Sequence, residues 1–223
     1  MKIESDLIGN ADDSIERALE LIAWGDQQHE GRRLKQAIQA VSHGIELLLK
    51  ERLRHLHPSL IWENVDRYPD LTARTVGAEL AAQRLQAIGG ISFRTSDLEL
   101  LRALRTTRNA VEHFAWTTTK QQADAIVGRA LEFAFHFARA ELSIEYFSYA
   151  AYKEGTYQQL LASNSEFRLA VRQRQHDIET DPSSTILVCP LCRAMAMDAS
   201  TGACRICGHL EPKQGSHADD VPF

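Results

Sequence analysis

The chain has 223 residues, of which 44% are hydrophobic and 25% are charged, and its formal net charge at pH 7 is −5. That length allows one substantial domain and a small second one. The acidic balance argues against a surface that coats nucleic acid broadly, but it is compatible with a cleft that contacts a few phosphates. No apolar run reaches the roughly 18 residues of a membrane span, and the N-terminus lacks a signal-peptide pattern.

The chain opens with two helical patterns. Residues 1–10 are expected to be loose, and Asp12 or Asp13 is placed to cap a helix that ends near Trp24. A longer helix is predicted at 32–56, because apolar residues recur there at helical spacing.

An arginine interrupts the apolar stripe of that second helix. Arg52 falls among its leucines, where a guanidinium needs an acidic partner or a stem that carries the charge to solvent. An internal ion pair is therefore favoured over a site role. Pro58 closes the helix, an irregular connection follows over 57–74, and a third helix stops at Gly89-Gly90.

The helix predicted from Ser96 to Phe114 organises the rest of the chain. Ser96 and Glu99 are expected to form a capping box at its start. One face is apolar and is formed by Leu100, Leu101, Leu104, Val111 and Ala115. On the polar flank, Arg108 lies at the margin of the leucine face and His113 lies about 140° further around. These two side chains line one cleft if a second chain packs there or if the helix loosens near His113.

A long helix is predicted next. Residues 117–119 offer N-caps for a helix to about Tyr149. Gly128 costs this helix about 1 kcal/mol relative to alanine unless close packing requires it. Arg129 and His136 fall opposite its apolar side and are expected to face solvent.

A last helical region, 156–178, is expected to break at 163–165. Together these patterns predict a mainly α fold, an antiparallel helical bundle that occupies residues 1–180.

All four cysteines lie near the C-terminus, in two Cys-x-x-Cys pairs separated by eleven residues. The pairs are formed by Cys189, Cys192, Cys204 and Cys207. Each tight turn presents two thiolates, and two turns complete the tetrahedral set for a structural Zn²⁺. A redox pair is the alternative, but a thioredoxin-like site uses one such motif after a strand. His209 is interpreted as a bystander because four thiols are present.

The cysteine pairs resemble a zinc ribbon with very short strands, at 185–188 and 194–197. Residues 181–185 are predicted to be a linker, residues 186–211 the ribbon and residues 212–223 a disordered tail. So small a module buries little core, so metal binding should supply most of its folding energy. The absence of cysteine from the large domain favours a cytoplasmic protein.

The segment Arg108-Asn109-Ala-Val-Glu-His113 resembles the signature of the HEPN superfamily, in which an arginine is followed by a polar residue and then, a few positions later, by a histidine. The run of amphipathic helices over 10–178 extends the likeness. Many HEPN proteins are metal-independent endoribonucleases that act as dimers with facing signatures. Others have lost activity and serve as binding or assembly modules.

The resemblance implies a division of roles. His113 is the expected general acid/base, because imidazole titrates near working pH. Arg108 is the expected phosphate and transition-state stabiliser, because its planar fork donates two hydrogen bonds. Asn109 positions these groups. Accessory roles in binding flanking phosphates and orienting Arg108 are assigned to Arg102, Arg105 and Glu112. Products would carry a 2′,3′-cyclic phosphate and a 5′-hydroxyl.

The implied partners are single-stranded RNA and a second copy of the chain in a symmetric homodimer. HEPN proteins are common in toxin–antitoxin pairs and antiviral defence, so an antitoxin or defence-system protein is a further implied partner. Three other interpretations remain open. One is a catalytically inactive HEPN-like module that binds nucleotides or proteins, with zinc used structurally. Another is a zinc-ribbon adaptor in transcription or a larger complex, with the bundle as an interaction surface. The third is a simple Arg108–Glu112 ion pair beside a solvated His113.

Overall fold

Seven α-helices and one short hairpin form the part of the chain that this computed structural model describes, namely residues 6–25, 29–114, 116–144, 146, 155–179, 186–190, 193–206, 209 and 211. The helices are α1 (Leu7–Leu19), α2 (Glu30–Leu56), α3 (Ala78–Ala87), α4 (Thr95–His113), α5 (Lys120–Leu142), α6 (Thr156–Ser163) and α7 (Ser165–Glu179). The hairpin pairs β1 (Ile186–Val188) with β2 (Met195–Asp198) in antiparallel fashion. The predicted helical bundle with a small C-terminal β region is therefore confirmed.

Helix α2 is the centre of the bundle. It contacts α1, α3, α4 and α5, and its apolar face is buried along its whole length. Arg52 on this helix lies 3.2 Å from Glu141 of α5, which confirms the predicted internal ion pair. Helix α5 in turn packs on α7, and α7 contacts β2. No helix in the described ranges is both long and apolar enough to cross a membrane.

The first helix starts earlier than predicted. The side chain of Asp6 accepts a hydrogen bond of 2.7 Å from the backbone N–H of Gly9, so α1 begins at Leu7. Asp12 and Asp13 therefore lie inside the helix, and the prediction of a loose segment is wrong for residues 7–10, while residues 1–5 lie outside the described ranges. A π-helical turn, Glu20–Trp24, follows α1.

The predicted irregular connection after α2 is present and contains two 3₁₀ turns, Pro58–Ile61 and Val65–Arg67. Before residue 186, an isolated bridge between Trp62 and Thr75 is the one β pairing in the described residues. At the other end of the bundle, α5 ends at Leu142, with Ser143 in the left-handed region, and not near Tyr149 as predicted. The predicted linker and C-terminal tail, 181–185 and 212–223, lie outside the described residues.

The junction between α6 and α7 explains the glycine within α5. The chain breaks at Asn164, as predicted, and the Asn164 side chain accepts a hydrogen bond of 2.8 Å from the Phe167 N–H. The same side chain donates to the carbonyl of Asp124 on α5. A Cβ at Gly128 would lie 2.5 Å from both Asn164 Oδ1 and Phe167 N. Close packing therefore requires glycine here, and it offsets the poor helix propensity of that residue.

Helix α4 starts one residue before the predicted cap. Arg94 precedes the helix, and its backbone N–H donates to the Asp97 carboxylate at 3.3 Å. Ser96 lies inside the first turn, so the predicted Ser96–Glu99 capping box is wrong. Asp97 is buried between Arg94, which precedes the helix, and Arg174 of α7, and the contact with α7 overrides the local capping preference.

A buried charged cluster joins α4, α5 and α7. Arg174 and Glu132 are each 6% exposed and form two hydrogen bonds, of 2.7 and 3.0 Å. Asp97 lies 3.8 Å from Arg174, and Arg94 lies 2.8 Å from Asp97 and 3.7 Å from Glu132. Their mutual attraction offsets the desolvation cost that any one of these charges would carry if it were buried alone.

His136 lies beside this cluster, partly buried, so the prediction that it faces solvent is wrong. Arg129, by contrast, is exposed as predicted. Burial and the charges of Arg174 and Arg94 lower the pKa of His136 to about 3 from its ordinary 6.5, although Asp97 acts in the opposite direction.

We expect His136 to make the protein less stable as the pH falls. The unfolded chain takes up a proton on this residue near pH 6.5 and the folded chain near pH 3. The contribution is therefore fully present above pH 6.5 and is lost as the pH falls through that window, with a slope approaching about 1.4 kcal/mol per pH unit. Urea unfolding at several pH values gives the free energy of unfolding as a function of pH. This free energy should depend less steeply on pH in His136→Gln than in the wild type. The exposed His43→Gln variant is the matched control, and an unchanged slope in His136→Gln would contradict this account.

Candidate functional site

Arg108 is held between two helices. Its Nε donates to Glu112 Oε1 on the same helix at 2.9 Å, and its Nη1 donates to Glu46 Oε2 of α2 at 3.5 Å. About a third of its side chain is exposed. The guanidinium is therefore oriented by two carboxylates while part of it remains open to solvent. Glu112 thus makes the contact with Arg108 that the sequence suggested.

A groove of about 330 Å³ lies beside Arg108, between α2, the start of α3 and α4. Arg108 and Asn109 line it together with Arg105 and Arg74. Three carboxylates line it as well, and they are Glu46, Glu63 and Glu79. The groove therefore offers cations to an anionic ligand, but those cations already have acidic neighbours.

The accessory arginines differ in their surroundings. Arg105 lies 2.8 Å from Glu79 and keeps 62% of its side chain exposed. Arg102 is exposed and does not line the groove. Ion pairs as exposed as Arg105–Glu79 contribute little, typically about 0–1 kcal/mol, so a phosphate could displace such a pair at small cost.

His113 lies outside the groove. It is the last residue of α4, 66% of its side chain is exposed, and its Nε2 is 3.8 Å from Glu112 Oε2. Because α4 stays helical through this residue, the angular separation between Arg108 and His113 is retained. One copy of the chain therefore brings Arg108 and Asn109 together, and it leaves His113 exposed at the helix end, beside a Phe114 that is 74% exposed.

Two of the four predicted zinc ligands lie in the described residues, and both are buried. Cys189 follows β1, and Cys204 forms an isolated backbone β-bridge with Met197 of β2. The backbone N–H of Ile206 donates to Cys204 Sγ at 3.4 Å. Cys192 and Cys207 lie outside the described ranges.

The described residues on either side of positions 191–192 are hydrogen-bonded to each other. The N–H of Arg193 donates to the Cys189 carbonyl at 2.9 Å, and Arg193 adopts the left-handed conformation with φ of 59°. The Cys189 N–H donates to Ala194. An N–H aimed at a sulfur stabilises a thiolate and orients it as a ligand. The described residues contain no group of three metal-ligating side chains, and half of the predicted set lies outside them.

Two residues at this site are not predicted by the sequence pattern. Glu46 of α2 contacts Arg108 from far away in the sequence, and Arg74 reaches the groove from the connection before α3. Neither follows a motif, so helical periodicity alone gave no signal for them. The packing of α2 on α4 brings them into place.

Comparison with known proteins identifies no relative. No family model, curated protein or solved structure matches the chain. Its described residues therefore establish a mainly helical domain of seven helices with a small C-terminal two-stranded region, and they assign it to no family.

Proposed function

We propose that this chain is a metal-independent endoribonuclease of the HEPN type, which cleaves single-stranded RNA through attack by the ribose 2′-OH. The observation that carries the proposal is the placement of the motif on α4. Arg108 and Asn109 line a groove, and His113 stands exposed at the end of the same helix. The resemblance of this segment to the HEPN signature supplies the reaction class.

Each group of the motif has a separate role in the proposed reaction. The two His113 side chains of the dimer share the proton transfers: one takes the proton of the attacking 2′-OH, and the other protonates the 5′-oxygen as its bond to phosphorus breaks. Arg108 donates to the phosphoryl oxygens as negative charge develops on them. Its contacts with Glu112 and Glu46 fix the guanidinium before substrate arrives. Asn109 donates an amide N–H to the phosphate or to the imidazole.

A second copy of the chain completes the proposed site. His113 lies outside the groove that holds Arg108, so the protein needs a partner surface to place an imidazole near that groove. A two-fold axis close to the end of α4 would bring each His113 toward the other copy. The working unit is therefore a symmetric homodimer.

The proposal is tested with a labelled single-stranded RNA in buffer without added divalent ions. Wild-type protein is expected to cut it, and His113→Ala and Arg108→Ala are expected to lose that activity. Matched controls are the exposed His43→Ala and Arg129→Ala, which should cut normally. Intact RNA with wild-type protein under all conditions would exclude the enzyme.

A catalytically silent binding module is the second candidate. It is favoured by the acidic neighbours of the groove arginines, because Arg105 and Arg108 each contact a glutamate. Such a module would bind nucleotides or a protein without cutting RNA. Stable RNA binding with no cleavage would favour this candidate over the enzyme.

We also propose that Cys189, Cys192, Cys204 and Cys207 hold a structural Zn²⁺. Support comes from the two matched Cys-x-x-Cys pairs, the burial of Cys189 and Cys204, and the N–H that Ile206 directs at sulfur. A metal bound here braces the hairpin against α7, which β2 contacts, and it takes no part in RNA cleavage.

Replacing Cys204 with serine is expected to abolish zinc binding and to unfold the hairpin while the helices remain. The metal should supply most of the folding free energy of so small a module. Metal analysis should find one zinc per chain in the wild type, and hydrogen exchange should show the hairpin exposed in Cys204→Ser. His209→Ala is the control and should keep its zinc. Full zinc content in Cys204→Ser would overturn the assignment.

A further inference from the structure

A second cavity, of about 630 Å³, lies between the first turn of α2 and the segment that leads from α4 into α5. Its lining includes the cations Arg32, Lys35 and Lys120, the carboxylate of Glu30, the indole of Trp116 and the hydroxyl groups of Thr117 and Thr118. It therefore combines an aromatic ring, cations and hydroxyl groups in one concave site, and nothing in the proposed cleavage mechanism uses it.

Trp116 provides the apolar wall of this cavity. Its side chain is partly buried and packs against the hydrophobic core, while the rest of it lines the open space. An indole fixed by the core on one side is a flat and rigid platform. Base–aromatic stacking on such a platform is worth about 1–3 kcal/mol per base and tolerates any base sequence.

The cations of the cavity are unequally neutralised. Lys120 lies 2.6 Å from Glu30 and 2.9 Å from Asp124. Arg32 and Lys35 are exposed on α2 and form no ion pair with any residue that the structure describes. The cavity thus carries excess positive charge on a chain whose net charge is −5. Such a site favours a phosphate.

Trp116, the aromatic residue of the cavity, lies close in the sequence to His113 at the end of α4. Trp116 follows His113 by three positions, and three residues span at most about 10 Å. That distance is comparable with the reach of neighbouring nucleotides on one strand. A strand whose scissile phosphate lies at His113 can therefore place an adjacent base over Trp116.

We propose that this cavity binds a nucleotide that flanks the scissile phosphate of single-stranded RNA. The base stacks on Trp116, and Arg32 and Lys35 neutralise the backbone phosphate. The inference rests on the proposed function and deepens it, because it assigns the strand-binding part of the same site. Stacking on Trp116 also favours a single-stranded substrate, because both faces of a base inside a duplex are already covered by its stacked neighbours.

The binding test uses a short fluorescent oligoribonucleotide with 2′-O-methyl groups, which lacks the attacking hydroxyl and stays intact. Fluorescence anisotropy with wild-type protein gives Kd. Trp116→Leu is expected to raise Kd about tenfold, within the range for one lost stack, and Trp116→Phe should raise it less. Trp24→Phe, at an exposed tryptophan that lines a different cavity, is the matched control and should bind normally.

Salt dependence tests the phosphate contacts. Replacing Arg32 and Lys35 together by glutamine should reduce the slope of log K against log salt by about 0.7, because neutralising one phosphate of a single strand contributes about 0.7 to that slope. An unchanged slope would overturn the role of these two cations. The same double change at Arg129 and Arg172, both exposed on other helices, is the control.

Cleavage kinetics separate this inference from the proposed function. On cleavable RNA, Trp116→Leu should raise KM with little change in kcat. If Trp116→Leu binds and cleaves like the wild type, the cavity assignment fails and the ribonuclease stands. If neither the wild type nor the variant cleaves RNA but Trp116→Leu still weakens binding, the proposed ribonuclease activity is wrong and the assignment of the cavity is retained. Failure of the wild type to bind the oligonucleotide would overturn the cavity assignment. Circular dichroism checks that each variant is folded.

Discussion

Replacing His113 by alanine is expected to lower the rate of RNA cleavage at least a hundredfold without loss of stability. A positioned general acid or base typically contributes about 10²–10⁴ to a rate. The side chain is 66% exposed and ends its helix, so truncating it leaves no cavity. Single-turnover cleavage of labelled RNA measures the rate, and thermal unfolding measures the stability.

Arg108 should show a loss of similar size. Removing one donor to a developing oxyanion costs about 10²–10³ in rate, and Arg108→Lys should restore little because lysine lacks the planar fork. Its ion pairs with Glu112 and Glu46 are part-exposed, so Arg108→Ala should cost less than about 1 kcal/mol of stability. If either variant cleaves RNA at the wild-type rate, α4 does not carry the chemistry.

The second large effect is expected at the buried pair of α5 and α7. Arg174→Met or Glu132→Leu alone should reduce the free energy of unfolding by about 3–5 kcal/mol, because each leaves a buried charge with poorer partners. The double variant should recover most of this loss, since no uncompensated charge remains. Urea unfolding followed by circular dichroism gives all four values of the cycle.

The ion pair Arg52–Glu141 is the matched control for that cycle. It also joins two helices, α2 and α5, but its side chains are 21% and 25% exposed. Arg52→Met should therefore cost no more than about 1 kcal/mol. The account of the buried cluster is wrong if Arg174→Met costs as little as Arg52→Met.

Helical periodicity predicted most of the bundle. The stripe of apolar residues set the bounds of α2 closely, and the polar triplet around Asn164 marked the break between α6 and α7. The ion pair predicted for Arg52 is formed with Glu141. These features depend on local spacing and on the cost of burying an unpaired charge, both of which can be read from the sequence alone.

The wrong predictions, for the start of α4 and for the exposure of His136, concern features that depend on contacts with residues distant in the sequence. Ser96 is the better local cap, but Asp97 is held by Arg94 and Arg174, and this contact fixes the start of α4. The helical wheel predicts that His136 faces solvent, because a wheel of α5 alone does not show that α7 brings Arg174 to that side. Tertiary packing overrode the local preference in both cases.

Geometry at the candidate site was predictable in part. The wheel placed Arg108 at the edge of the leucine face, and the structure uses that position to reach Glu46 on α2. The wheel also separated His113 from Arg108, and α4 retains that separation. Which residues line the groove depends on how α2, α3 and α4 pack together. The periodicity of a single helix does not predict that packing.

The chemistry of the cut ends tests the central claim most directly. A 5′-labelled RNA and its 2′-deoxy counterpart are incubated with wild-type protein that has been checked for its zinc content. We expect the RNA to be cut to fragments with 2′,3′-cyclic phosphate and 5′-hydroxyl ends, the deoxy strand to stay intact, and His113→Ala to cut neither. Cleavage of the deoxy strand, or RNA fragments with 5′-phosphate ends, would contradict a reaction that starts from the 2′-OH and runs through Arg108 and His113.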